Sequence, residues 1–189
     1  MENKDLDKIL EFMIHVDELK HVNRTGWVIK NIHKQPEHVA DHSFSTALLS
    51  YIMAKRLKLD AGKCMAMALT HDIHEVITGD IPTTSISRKE KRRLAQRDTL
   101  KMLSHLDKTD QKALLSLWKE MSAQKSPEAK LVRQIDALDY IIQTVPYSKL
   151  VKNNQIFDDF FLTARERIHT PELLYMYNKI KRQILEKSK

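Results

Sequence analysis

The chain has 189 residues, with 32 Lys and Arg against 25 Asp and Glu, a formal net charge of +7, one Cys, 3 Gly and 5 Pro. That length fits one well-cored domain and hardly two, and the scarcity of Gly and Pro beside recurrent Leu, Lys, Ala and Ile argues against a fold built on hairpins. The lone Cys64 excludes an intrachain disulfide framework and reads as a small packed thiol in a reducing compartment.

From the N-terminus, "MENKDLDKIL" is charged from its second residue and lacks the apolar region of a signal peptide. It opens a helix predicted over 3–20, and a short helix is predicted near 28–34. Over 42–58, Phe44, Ala47, Leu48, Tyr51 and Ile52 recur at i, i+3, i+4, i+7 and i+8, which predicts one buried helical stripe. The run "ALLSYIMA" in that helix is the longest nearly apolar stretch and is far too short to span a bilayer. A helix over 61–77 carries a stripe of Met65, Ala68, Leu69, Asp72, Ile73 and Val76. The next two are predicted over 87–105 and 109–123. Ser126-Pro127-Glu128 reads as an N-cap, a first-turn Pro and an acid at the positive helix end, opening a helix over 127–145 that Pro146 ends or kinks. Thr170-Pro171-Glu172 repeats that grammar within a helical region over 148–187 that is broken near 168. With no linker, repeat or low-complexity tract, the expectation is one all-α domain over 1–189, cytoplasmic, with no membrane segment.

Two features stand out from this helical background. The first is the basic cluster "SRKEKRRLAQR" at 87–97, which reads as a solvated helix face or as an electrostatic lure for an anionic ligand. It has no interleaved aromatics, zinc-finger spacing or recognition motif, which argues against nucleic acid. The second is the placement of polar groups on apolar faces. In "MALTHDIHEVITGD" (67–80), Asp72 takes a core-facing slot, with His71 beside it and Glu75 one turn on. A buried carboxylate must be protonated, paired or bound to a cation. His42 starts the Phe44 stripe in "HVADHSFSTALL". Asp136 and Asp139 lie amid Leu131, Val132, Ile135, Leu138 and Ile142, and periodicity cannot choose between them. Three helices therefore each bring a metal-capable side chain to a buried face. Two imidazoles and two carboxylates suit a divalent ion with water in its open positions.

The order His42, His71-Asp72 after 29 residues, and an Asp 64 residues further on resembles the H…HD…D pattern of the HD-domain phosphohydrolase superfamily. "RTGWV", "VADHSF", "ALTHDIHEVITGDIP" and "SPEAKLVRQIDALDYIIQ" resemble, in order, the blocks of its 5′-deoxynucleotidase group, that of HD-domain-containing protein 2 and the bacterial YfbR enzymes. The similarity spans about residues 17–145, with the helices of 148–187 expected to pack on that core. The resemblance selects Asp136 over Asp139 and implies a single HD-domain helical bundle with one divalent ion (Mn, Co, Fe, Zn or Mg) held by His42, His71, Asp72 and Asp136. It implies that Glu75 orients or activates the attacking water, that Arg24 sits near the substrate phosphate, and that Trp27 and Asp80 lie at the sugar. Bacterial members have Arg and Trp adjacent, whereas Thr25-Gly26 stands between them here. The implied activity is removal of the 5′-phosphate from deoxyribonucleoside 5′-monophosphates by a metal-bound water, in a homodimer. The rivals are a hydrolase of another nucleotide, such as a triphosphate or signalling nucleotide, and a non-catalytic metal-stabilised nucleotide-binding module, which would have no use for Glu75.

Overall fold

The computed structural model describes residues 3–82 and 85–186. Helix α1 (Asn3–Asp17) runs into a 3₁₀ turn (Glu18–Lys20), followed by α2 (Thr25–Lys30), α3 (Val39–Arg56), α4 (Ala61–Thr70) and the one-turn α5 (Glu75–Thr78). Next come α6 (Arg88–Leu103), α7 (Lys108–Ala123) and the long α8 (Pro127–Tyr147), then a 3₁₀ turn (Asn154–Phe157), α9 (Asp158–Arg165) and α10 (Pro171–Glu186). Among the described residues there is no β-strand, so the fold is all-α as expected. Among the described residues no helix is long and apolar enough to cross a membrane.

The helix starts follow side-chain chemistry. Asp60, Ser87, Asp107 and Ser126 each accept backbone N–H groups of the first turn of α4, α6, α7 and α8, supplying partners that the helix itself cannot. Helix α8 is buried on nearly every side: Leu131, Val132, Ile135, Leu138 and Ile141 have almost no exposure, as an apolar helix at the centre of a bundle must. It packs on α3, α4, α7, α9 and α10. Met53 and Ala54 of α3 and Cys64, Met67 and Ala68 of α4 complete the same core, while Phe12, Ile73, Met102 and Leu103 form a smaller cluster. An isolated antiparallel bridge joins Asn23 to His38, with Arg24 N–H donating to Glu37 O at 2.8 Å and Val39 N–H to Val22 O at 2.8 Å. That clip seats Arg24 beside the start of α3.

Four expectations need correction. The stripe predicted for α3 faces outward: Phe44, Leu48, Tyr51 and Ile52 are exposed and only Ala47 of the set is buried. The inner face is instead Val39, His42, Ser43, Thr46, Ser50, Met53 and Ala54. The stripe predicted for 61–77 fails in the same way, since Met65 and Leu69 are exposed while Cys64, Met67 and Ala68 are buried. That segment is also not one helix. Thr70 Oγ1 donates to Ala66 O and Met67 O, and the His71 ring donates to Ala68 O, so side chains take the carbonyls that a continuing helix would use. Residues 71–74 form a turn before α5. Helix boundaries shift elsewhere: α2 starts at Thr25, α8 carries Pro146 in its last turn and ends at Tyr147, and residues 148–153 are not helical. The break near 168 is present, between α9 and α10, and the predicted end at 187 lies outside the described residues.

Leu138→Ala should cost about 2–5 kcal/mol, because it opens a void at the centre of α8. Leu162→Ala, at an exposed site, should stay within ~0.5 kcal/mol of the parent. Urea unfolding of both variants checks the pair.

Candidate metal centre

One turn into α3, His42 is wholly buried. Its Nδ1–H donates to Asp139 Oδ2 on α8 at 2.7 Å, and its Nε2 lies 3.4 Å from His71 Nε2. The His71 ring donates Nδ1–H to Ala68 O at 2.7 Å, and Trp118 Nε1–H holds His71 O at 3.2 Å. Each imidazole thus commits Nδ1 to an acceptor that cannot donate back, which aims the Nε2 lone pairs toward one point. Asp72 Oδ2 stands 3.0 Å from His71 Nε2 and 3.8 Å from His42 Nε2. Asp136 Oδ1 stands 3.4 Å from His42 Nε2 and 4.0 Å from His71 Nε2. Ligand atoms sharing one ion through bonds of about 2.1 Å stand ~3.0–3.4 Å apart in octahedral or tetrahedral geometry. His42, His71 and Asp72 fit such an ion after a small contraction, and Asp136 Oδ1 stands within 4.0 Å of both Nε2 atoms.

The two candidate acids on α8 have different surroundings. Asp136 turns Oδ1 to the Nε2 atoms and gives Oδ2 to Arg133 Nη1 at 2.7 Å, whereas Asp139 faces the far side of His42. Behind Asp139 lies Glu37, which accepts Trp27 Nε1–H at 2.7 Å. Burial, with Asp139 close by, raises the Glu37 pKa.

Charge is dense here. Burial works against a charge on His42 and so does Arg24, yet hydrogen bonds to Asp136 and Asp139 outweigh both, and its pKa is pushed up to about 10. Burial also disfavours charge on Asp72 and Asp136. His71, Arg24 and His42 nevertheless hold Asp72 well below the usual carboxylate range, and Arg133 with the two imidazoles does the same for Asp136. Arg24 Nη1 lies 3.5 Å from Asp72 and 4.0 Å from Asp80. Burial opposes its charge too, but Asp80, Asp72, Glu75 and Asp136 raise its pKa further above the ordinary guanidinium value. Glu75 moves the other way: burial, then Asp72 and Asp80, raise it well above the usual range. Its Oε2 is buried with no hydrogen-bond partner, and so is Nδ1 of the neighbouring His74. An orphaned carboxylate oxygen beside a cluster of ligand-type atoms is what a site awaiting a cation or water presents.

The other expected residues sit around this centre. Gly79 turns the chain at φ +67°, a conformation open to glycine, and brings Asp80 back so that its Oδ2 accepts Thr25 N–H at 2.9 Å. Trp27 is buried among Tyr147, Phe157 and Phe160, its indole N–H spent on Glu37. A cleft of about 1360 Å³ opens above the centre. It is lined by the polar groups Arg24, Asp72, Glu75, Asp80 and Asp136, by the aromatic rings of Tyr140 and Phe160 with the edge of Trp27, and by Arg88, Lys91 and Arg92 of α6. The basic cluster therefore divides: these three cations reach the cleft, while Arg93 pairs with Glu90 and Arg97 with Asp98.

Sequence reasoning missed three contributors. Asp139 stood as an alternative ligand, not as the acceptor behind His42. His74, given no role above, lies with Asp72 and Glu75 in one cluster. Arg133 went unremarked, although a basic residue three positions before an acid on a helix is a readable signal.

Residues 16–174 match the HD domain family. A 5′-deoxynucleotidase HDDC2 of Danio rerio is 38% identical over 170 residues, covering 89% of this chain and 84% of its own. The Homo sapiens protein of that name is 34% identical over 174 residues, 91% of this chain and 84% of its own. The crystal structure of PH0347 protein from Pyrococcus horikoshii OT3 superposes with a TM-score of 0.77 at 30% identity, covering 92% of this chain and 98% of that one. With the match running through α3, α4 and α8, which carry the converging imidazoles and carboxylates, the chain belongs to the HD domain family.

Proposed function

We propose that this protein is a metal-dependent phosphohydrolase that removes the 5′-phosphate from deoxyribonucleoside 5′-monophosphates. The carrying observation is the convergence of His42 Nε2 with His71 Nε2, Asp72 and Asp136, the last three of which line a cleft beside Arg24. Relatives named 5′-deoxynucleotidase over more than four-fifths of the chain support the substrate class. The same reading takes the enzyme as a cytoplasmic homodimer with one divalent ion per chain, of a kind the donor set does not fix.

An ion held by His42, His71, Asp72 and Asp136 would supply Lewis acidity toward the phosphoryl group and a water activated near neutral pH. Arg24, cationic and held between Asp72 and Asp80, is placed to offer N–H donors to a phosphate oxygen. Asp80 keeps α2 docked through Thr25. Glu75, its pKa raised by burial and by Asp72 and Asp80, is placed to take the proton that the attacking water loses and to pass a proton to the leaving 5′-oxygen. Water oxygen bonds to phosphorus, the P–O5′ bond breaks, and deoxynucleoside and inorganic phosphate leave. The aromatic wall of Trp27, Tyr140 and Phe160 supplies an apolar surface for sugar or base. The size of the cleft and the three cations on α6 favour one competing reading, a nucleotide bearing more phosphates.

Phosphate release should be confined to deoxyribonucleoside 5′-monophosphates in a panel with ribonucleotides, 3′-monophosphates and triphosphates. It should vanish on chelation and return with one of Mn²⁺, Co²⁺, Fe²⁺, Zn²⁺ or Mg²⁺, and preference for triphosphates would select the competing reading. His42→Ala and Asp72→Ala should lose both stoichiometric metal, read by elemental analysis, and activity. Glu75→Gln should keep the metal and lose about 10²–10⁴ in kcat. An active, metal-free Asp72→Ala protein would overturn the mechanism. Asp139→Asn should keep the fold and weaken metal affinity about 10–100-fold, measured by competition with a chelating dye, because His42 loses the acceptor that fixes its ring.

A further inference from the structure

Glu37, in the loop before α3, is nearly enclosed at 8% exposure, and its Oε2 accepts the Trp27 indole N–H at 2.7 Å. Its main chain is engaged as well. Glu37 O accepts Arg24 N–H at 2.8 Å, and Glu37 N–H donates to the Tyr147 hydroxyl at 2.8 Å. Tyr147 closes the group by standing edge-on to Trp27, with centroids 4.9 Å apart. We propose that Glu37 is a positioning residue for substrate selection: its side chain holds Trp27 at the cleft while its main chain holds Arg24. The inference rests on the reading of that cleft as a nucleotide site.

Helix α2 cannot keep its place unaided. Six residues are too few for a stable isolated helix, so its position is set by its anchors. Thr25 is bound to Asp80, Lys30 pairs with Asp159 at 2.8 Å, and a Cβ on Gly26 would stand 3.4 Å from the Phe160 ring. Trp27 is the anchor that spans core and cleft, packed among Tyr147, Phe157 and Phe160 with its edge at the cleft beside Arg24. Filling that space would need only a phenylalanine. A tryptophan brings a buried N–H that must find an acceptor, and a carboxyl group is a costly one to bury for an uncharged donor. What the pair adds over packing is direction, because the hydrogen bond fixes which edge of the ring meets the cleft.

The two halves of Glu37 act on different parts of the ligand. Arg24, 3.5 Å from Asp72, is placed for phosphate, whereas Trp27 joins Tyr140 and Phe160 in the surface available to the nucleoside. A side-chain substitution at Glu37 leaves the main-chain bond to Arg24 in place and removes only the hold on Trp27. Glu37 lies in one cluster with Asp139 and His42, but it is Asp139 that bonds His42 Nδ1, so metal binding is expected to stay.

The test uses Glu37→Met, which keeps the volume and removes the acceptor, and Glu37→Gln, which keeps an acceptor. Glu37→Met should raise KM for the nucleotide about 10-fold. Its kcat, its stoichiometric metal and the inhibition constant of inorganic phosphate should match the parent. Glu37→Gln should stay within about 3-fold of the parent in KM. In a Trp27→Phe background, which raises KM by itself, Glu37→Met should add nothing further. The chain has two tryptophans, so nitrogen-15 spectra show the indole N–H directly. The Trp27 signal, assigned with Trp27→Phe, should exchange slowly with solvent in the parent and in Glu37→Gln and fast in Glu37→Met. Nucleotide and phosphate affinities falling together, loss of metal, or effects of Glu37→Met and Trp27→Phe that multiply would each overturn the proposal. A parent that turns over no nucleotide sinks the functional reading instead, and the same comparison is then made on calorimetric binding of the monophosphates and of phosphate.

Discussion

The hydrogen bond from the His71 ring to the Ala68 carbonyl does two jobs. It occupies the acceptor that the next helical N–H would have used, so α4 stops at Thr70, and it fixes the ring with Nε2 toward His42. The chain then turns through residues 71–74 and restarts when Glu75 N–H bonds Asp72 O at 2.9 Å. Trp118 on α7 pins the turn through His71 O. Because the segment leaves helical geometry, Asp72, His74 and Glu75 gather within ligand distance of one another, and Gly79 can swing Asp80 back to α2. A continuous helix would spread these groups around a cylinder. The break is thus the local event on which both the donor cluster and the floor of the cleft depend.

Concentrating ionisable groups in this way is costly unless each finds a counter-charge or a hydrogen bond. The structure arranges them in alternation: Arg24 between Asp72 and Asp80, His42 between Asp136 and Asp139, and Arg133 on the outer oxygen of Asp136. Even so, the acids exceed the fixed cations, and Glu75 and Glu37 have raised pKa values, first through burial and then through neighbouring acids, Asp72 and Asp80 for Glu75 and Asp139 for Glu37. A divalent cation would offset that surplus at the point where the Nε2 atoms converge. The raised pKa of His42 belongs to the same logic, since a proton and a metal ion would compete for the same Nε2 lone pair.

Much of this was legible as sequence. The all-α class, most helix positions, the capping residues at Ser126 and the residues that converge at the centre all followed from spacing, cap chemistry and the H…HD…D order. What was not legible were relations between elements. Periodicity gave Asp136 and Asp139 equal standing because both faces of α8 are buried, and only the placement of α3 against it separates an oxygen toward Nε2 from one toward Nδ1. The break after Thr70 was missed because threonine and histidine are ordinary helix residues until their side chains bond backwards to backbone carbonyls. Trp27 shows the reverse difficulty: it carries an expected site role, yet most of its ring is spent on the core.

The inverted faces of α3 and α4 have a physical reason that connects core to site. Helices approach closely only where their facing side chains are small, and α3, which packs on α4 and α8, has a buried face made largely of Ser43, Thr46, Ala47, Ser50 and Ala54, with Val39 and Met53 as its larger members. Bulkier residues on that face would push α3 outward and carry His42 Nε2 away from His71 and Asp136. The metal geometry therefore demands a small, partly polar inner face. A stripe reading that assigns the largest apolar residues to the core must fail on such a helix. What remains is Phe44, Leu48, Tyr51 and Ile52 on the outside, a surface whose exposure is unfavourable for a lone chain. The helix that builds the site therefore also leaves its bulkiest apolar side chains uncovered.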